Sequence, residues 1–289
     1  MKINSFSPKG LTLFVAFITV LSVSLSGQSK KAPADAVTLA YNIPAGEKLV
    51  YSVSTDVAQL IEVEGQTVNV MVNNKLVFQT KLLEKKKDNM VLEVTVDSLS
   101  TNVNAMGSVT QANIGDVSGK SFKMVLASDG KVIDASEAAK IEYFVEGQGG
   151  GNLGQTFLNV FPKMSAKPVK PGDRWTSRDS VQTVSAGTKV LQSFEYSNTY
   201  EGNEVINGKD CAKIVSDFKG TMETSTQNMG MDILVHGPIS GQSVVYFAIK
   251  EGYVVSQEET SKLNGTVEVT GQNMTFPVVM NTTVKLQLK

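Results

Sequence analysis

From residue 38 onward the strongest regularity is alternation between apolar and polar positions. Leu49, Tyr51 and Val53 mark one such run, and Met90, Leu92, Val94 and Val96 alternate with Val91, Glu93, Thr95 and Asp97 in another. A period of two in β-branched and aromatic residues predicts half-buried antiparallel strands. Turn dipeptides punctuate the runs at Asp129-Gly130, Asn207-Gly208, Glu251-Gly252 and Asn264-Gly265. The Asn-Gly and Asp-Gly pairs supply the positive φ angles of tight hairpins. Between 134 and 161 the spacing changes. Ile141, Phe144 and Val145, then Leu153, Phe157, Leu158 and Phe161, fall at helical intervals, and Asp134 stands three residues before Glu137 as at a helix N-terminus. The pattern predicts two short helices joined by a Gly-rich turn at 147–154 and stopped by Pro162, Pro168 and Pro171.

The β-rich stretches on either side of this helical hairpin resemble each other. Pro44-Ala45-Gly46-Glu47-Lys48-Leu49 is echoed by Pro171-Gly172-Asp173-Arg174-Trp175, and the stretch 121–132 by 243–254. A repeated unit of about 120 residues follows from the offsets. Two such halves form either one continuous sheet or two small domains; neither half has a second set of strands to cover its own core, which favours one sheet. The expected fold is therefore mainly β: a strongly curved antiparallel sheet or half-open barrel built from two similar halves (38–133 and 162–289), with the helical hairpin 134–161 inserted between them and packed over the concave face.

The N-terminus has a different character. Lys2 and Lys9 precede an apolar run at 11–25, followed by the small residues Ser24, Ser26 and Gly27. This order is that of a secretory signal peptide, assigned to 1–26. The run is about 15 residues, short of the roughly 20 that span a bilayer. No Cys follows it, so lipid anchoring of the bacterial lipoprotein type is not expected. Residues 27–37 lack periodicity and are expected to form a disordered leader. The protein is thus expected to be exported, periplasmic or extracellular, with no membrane span after cleavage. Across 289 residues, 27 Lys+Arg face 28 Asp+Glu, a formal charge of −1 that gives no footprint for nucleic acid.

Candidate chemistry is sparse. One Cys and one His exclude an intrachain disulfide and multi-histidine metal sites. Gly149 to Gly154 spells G-x-G-x-x-G, but no βαβ unit surrounds it, and it is taken as a turn. His236 lacks a nucleophile elbow and is expected to be a satisfied strand-end residue. Met229 and Met231 with His236 have spacing that Cu(I) can use, although Gln227-Asn228-Met229 is echoed at Gln272-Asn273-Met274 without a second ligand set, which favours packing. Cys211 is expected as a small buried residue, and Lys85-Lys86-Lys87 as a solvated turn. Trp175 is expected to plug the core, and Asp173, Asp179, Glu258 and Glu259 show no acid–base spacing. Pro277 is expected to mark an edge or bulge. No catalytic residue, metal site or cofactor is assigned, and the protein is not expected to be an enzyme.

The segment from Pro162 to Trp175, a proline-containing turn followed by Gly172-Asp173-Arg174-Trp175 at a strand start, resembles exported β-rich proteins of Bacteroidota. The layout is also similar to the half-open barrels of lipoprotein carriers and mycobacterial glycolipid-binding lipoproteins. That resemblance implies an envelope protein that binds a lipid or other hydrophobic molecule between sheet and helices. Phe144, Phe157 and Phe161 are the residues expected to line or gate such a cavity, unless they simply fill the core. The rival expectation is an envelope interaction or scaffold module that binds protein through strand edges or hairpin loops.

Overall fold

The computed structural model describes residues 36–63, 65–105, 108–145, 149–158, 160–185, 187–228, 231–270 and 273–289. The expected signal peptide and nearly all of the expected leader lie outside them. Among the described residues there are fourteen strands, and many are long: β1 (Lys48–Val63), β2 (Gln66–Lys86), β3 (Asn89–Ala105), β4 (Ser108–Asn113), β5 (Ser121–Ala127), β6 (Val132–Asp134), β7 (Glu142–Val145), β8 (Gly149–Asn152), β9 (Arg174–Ser185), β10 (Thr188–Ile206), β11 (Lys209–Asn228), β12 (Met231–Ala248), β13 (Tyr253–Thr270) and β14 (Met274–Leu288). Twelve of them form one antiparallel sheet in the order β6-β5-β3-β2-β1-β14-β13-β12-β11-β10-β9, with β4 added on β3. The sheet is thus two antiparallel meanders, one from β1 to β6 and one from β9 to β14, joined where the first and last strands pair. The C-terminal strand β14 lies in its middle, paired from Tyr51–Leu288 to Ile61–Val278 with β1 and from Ser256–Gln287 to Val269–Met274 with β13.

The sheet curls. A flat sheet would place β1 and β9, six strands apart in this order, about 29 Å from each other at the usual strand spacing. Yet Val53 of β1 and Ser177 of β9 line one cavity of about 630 Å³. Both ends of the ladder remain open, because β6 pairs only with β5 and β9 only with β10 among the described residues. One cause of the curvature is a group of glycines on adjacent strands. A Cβ on Gly241 would stand 2.1 Å from the Thr260 carbonyl oxygen, and one on Gly220 would stand 1.9 Å from that of Ser193. Such close backbone approach is open only to glycine, and it permits a sharp bend. The rings of Phe194 and Phe218 lie over these gaps, since Phe194 is the register partner of Gly220 and Phe218 of Gly241.

The core lies at one end of the concave face and draws on both halves of the chain: Tyr51, Phe78, Leu92 and Leu126 from the first, Ile214, Phe247, Val254 and Leu286 from the second. The segment before β1 closes it from above. Leu39, Tyr41 and Ile43 alternate inward, and the amides of Tyr41 and Asn42 donate to the carbonyls of Ser128 and Gly252, so this segment touches one hairpin turn in each half.

Three expectations need correction. The insert is not a helical hairpin. Residues 142–145 and 149–152 pair as an antiparallel ribbon, β7 with β8, after a 3₁₀ turn at Ala138–Lys140, and the only α-helix among the described residues is α1 (Leu153–Leu158). Three apolar positions at helical spacing are too few to outweigh the β preference of Tyr143, Phe144 and Val145 once a partner ribbon is available. Asn264-Gly265 is not a turn but lies inside β13, where the absent Cβ lets the His236 carbonyl approach; a Cβ would be 2.3 Å from it. The leader ends before 37, because Val37 bridges Val169 through 2.8 and 2.9 Å hydrogen bonds. The other turn pairs form as expected, with Asn207 at φ 51° and Gly208 at 77°, Gly130 at 88° and Gly252 at 77°. Pro277 lies within β14, an interior strand, one residue beyond Val278, where pairing with β1 stops, so its missing N–H falls at the end of that ladder.

Candidate functional site

The cavity opens beside the core on the concave face, floored by Ile214, Val245, Leu286 and Phe161. Period two carries each strand from this apolar floor into a polar belt. On β11 the inward series is Ile214, Ser216, Phe218; on β12 it is Val245, Ser243; on β13 it is Gln257, Glu259, Ser261. The belt is internally bonded. Asn198 Nδ2 donates to Ser177 Oγ at 3.1 Å and to the Trp175 carbonyl at 3.3 Å, Ser216 Oγ donates to Asn198 Oδ1 at 2.7 Å, and Gln257 Nε2 reaches Ser243 Oγ at 3.4 Å. Beyond the belt the same strands turn apolar again at Met222, Ile239, Leu263 and Met280, part of a second, smaller cluster around Leu263, Val267 and Val278. Phe194, Tyr196 and Phe218 form an aromatic wall with centroids 5.2 to 6.0 Å apart.

Ionic groups in the cavity are few. Lys163, in the segment that follows the insert, pairs with Asp179 of β9 at 2.9 Å, and this pair ties that segment to the sheet beside the cavity. Arg178, at the margin, pairs with Glu195 at 3.4 Å and is largely in solvent. Glu259 has neither a hydrogen-bond nor an ion-pair partner among the described residues, and burial pushes its carboxyl up to about 7. Tyr196 is held well above the usual phenol range by burial and by the charges of Glu259 and Asp179, and Tyr143 is raised by burial alone. Both phenols therefore stay neutral donors at physiological pH.

The three phenylalanines expected to form a binding site have different fates. Phe161 does line the cavity; its ring meets Tyr41 and Tyr51 edge-on at 5.7 and 5.8 Å. Phe157, fully buried on α1, points into the core, edge-on to Phe78 at 5.0 Å and Phe122 at 4.9 Å, and does not line the cavity. Phe144 pairs with Gly150 in the β7–β8 ribbon, and its side chain lies outside the described residues. Sequence reasoning missed the polar belt, although its signal was present. Glu259 shares a strand face with Leu263 and Val267, so three polar residues interrupt what is otherwise an apolar stripe.

The other residues considered for chemistry are also placed. His236 is within β12 rather than at its end, on the face opposite the cavity, and its Nε2 meets Glu268 Oε1 at 2.9 Å across to β13. Cys211 is buried in the core, and burial pushes its thiol up, which disfavours the reactive thiolate. Met229 and the Met231 side chain lie outside the described residues. Among the described residues no cluster of three or more His, Cys, Asp and Glu side chains is arranged to hold a metal. Lys87 occupies the β2–β3 turn at φ 51°, and Lys85 donates to Asn42 Oδ1 at 2.6 Å. Trp175 packs half-buried against the core, as expected. No helix among the described residues is long and apolar enough to cross a membrane.

No family model and no curated relative matches the chain. Similar solved structures include a Bacteroides fragilis protein described as exported and of YmcC-like fold, at 13% identity and a TM-score of 0.27 over 88% of this chain and 99% of that one. Pseudomonas aeruginosa OccK2 is similar at 6% identity and a TM-score of 0.27 over 86% and 99% of the two chains. A lipoprotein-sorting protein domain from Vibrio parahaemolyticus follows at 9% identity and a TM-score of 0.15 over 82% and 85%. At these scores none of them passes a residue role to this chain.

Proposed function

We propose that this protein is an exported, non-catalytic component of the cell envelope that carries an amphiphilic molecule, a lipid or similar hydrophobic compound with a polar head, in the cavity between sheet and insert. The observation that carries the reading is the layering of that cavity: apolar floor, bonded polar belt, apolar far wall, within about 630 Å³. That volume lies in the usual range of small-molecule sites, roughly 300–1,000 Å³. A space meant only to be filled by core side chains would not retain Ser216, Ser243 and Asn198 at 4–6% exposure on the same face as Ile214 and Val245. Export rests on the signal-peptide pattern of residues 1–26. The matching strand orders, β1-β2-β3-β5-β6 and β9-β10-β11-β12-β13, support a duplicated unit as the origin of the two halves.

The rival reading, protein docking on a sheet edge, has less support. One edge is the three-residue β6, and the other, β9, carries Arg174, Arg178 and Asp179, charges that discourage strand addition. Native mass spectrometry of the protein released gently from its envelope tests the carrier reading. The expected result is a retained small-molecule mass that disappears in Ser261→Trp, where an indole fills the middle of the belt. A protein that arrives empty and takes up no fluorescent lipid analogue would overturn it.

A further inference from the structure

We infer that the preferred occupant of this cavity carries a primary ammonium headgroup and that Glu259 is the carboxylate that receives it. The inference rests on the carrier reading and names the ligand class for the same site. Glu259 projects into the cavity from the middle of β13 without a partner among the described residues, whereas the Lys163–Asp179 and Arg178–Glu195 pairs already satisfy the other charges there. With Glu259 ionised, the enclosed groups are two carboxylates, Asp179 and Glu259, against one enclosed ammonium, Lys163. The missing charge is positive. An anionic head would add a third negative group beside two carboxylates, and a neutral head would leave Glu259 desolvated and unpaired. A few residues further along the strands, Leu263, Ile239, Met222 and Met280 offer an apolar wall. Four residues of strand span about 13 Å, so an ammonium at Glu259 places an alkyl chain against that wall.

The groups that face Glu259 fix the direction of its pH dependence. The titratable and charged groups that line the cavity with it are Tyr196 on β10, Arg178 and Asp179 on β9, Tyr143 on β7 and Lys163 just after the insert, and Ser243 of β12 is its cross-strand neighbour. The phenols are neutral near pH 7, and an alkylamine remains protonated there. Because burial holds the empty-site carboxyl at about 7, ammonium binding displaces a proton below that pH. Affinity for an amine should therefore rise with pH and level off above pH 8.

Isothermal titration of the purified protein with dodecylamine, dodecanol and dodecanoate, each below its micellar concentration, tests this. At pH 8 dodecylamine should bind about tenfold more tightly than dodecanol, the scale of one charge-assisted contact. At pH 6 its affinity should fall by about tenfold while that of dodecanol holds. Glu259→Gln, which keeps the side-chain shape and removes the charge, should bring the amine-to-alcohol ratio close to one. Lys163→Gln, which frees Asp179, should raise the ratio, so a second variant reports even where the first folds poorly. Equal binding of amine and alcohol by the unaltered protein, or tighter binding of dodecanoate, would overturn the ammonium assignment and leave the carrier reading standing. Failure of all three ligands to bind would overturn both.

Discussion

A carboxyl group held inside the cavity keeps its proton at a pH where the unfolded chain has lost it, and this gives Glu259 an effect on stability opposite to that of most acids. Its folded pKa, about 7, lies above the ordinary value of 4.5, so the proton favours the folded state. The stabilisation is fully present below about pH 4.5, is lost as pH rises toward 7, and changes little beyond. Because Glu259 is only partly enclosed, solvent screening reduces the loss, which should amount to about 1–3 kcal/mol. Urea unfolding at pH 5 and pH 8 checks this: the parent protein should lose more stability between the two than Glu259→Gln does, and parallel losses would sink it. At this scale the sequence was legible only where a residue follows the period of its strand. Tyr51, Met90, Leu92 and Val94 are buried as their alternation required. Spacing along the chain does not distinguish Glu259 from the other acids; what distinguishes it is the strand face it shares with Leu263.

Among the elements, the long strands were readable because alternation of 15 to 21 residues, as in β2 and β14, leaves little ambiguity, and the Asn207-Gly208 turn formed where its dipeptide required. The insert was misread because its apolar spacing is compatible with either period. What decides is tertiary: β7 finds the ribbon β8, and α1 rests so closely on the 3₁₀ turn that a Cβ on Gly154 would be 2.8 Å from that of Ala139. Gly265 misleads for a related reason, since like Gly220 and Gly241 on the neighbouring strands it marks a close backbone approach rather than a chain reversal. Gly241 tests this reading. Valine is a strong strand former, yet at 241 its Cβ would meet the Thr260 carbonyl and, at 2.5 Å, the Phe218 ring. Gly241→Val should cost about 2 kcal/mol or more and lower Tm by about 4–8 °C. Gly115→Ala, which meets nothing within 4 Å, should remain within about 0.5 kcal/mol of the parent. Equal Tm values in a thermal melt of the two variants would remove the glycines as the cause of the curl.

For the whole molecule the question left open by the sequence, one sheet or two domains, is answered by the position of β14. The last strand of the chain closes the gap between the halves, and its removal would leave β1 and β13 with bare edges. Side chains cross the same seam: Tyr51 on β1 donates its hydroxyl to the Val254 carbonyl on β13 at 3.1 Å, and Tyr41 donates to the Pro162 carbonyl while its ring meets Phe247. Neither half keeps a closed core alone, so unfolding should be a single event. The sole tryptophan, Trp175, stands on β9 at one edge of the ladder, whereas far-UV circular dichroism samples every strand. In urea the two signals should trace one superimposable transition. A chain ending at residue 272 should lose that coincidence, with the Trp175 transition moved to lower urea even though every contact of β9 with β10 is retained in its sequence. Two separated transitions in the intact protein would mean that the halves fold independently, and the cavity they share would then have no common wall to hold a ligand.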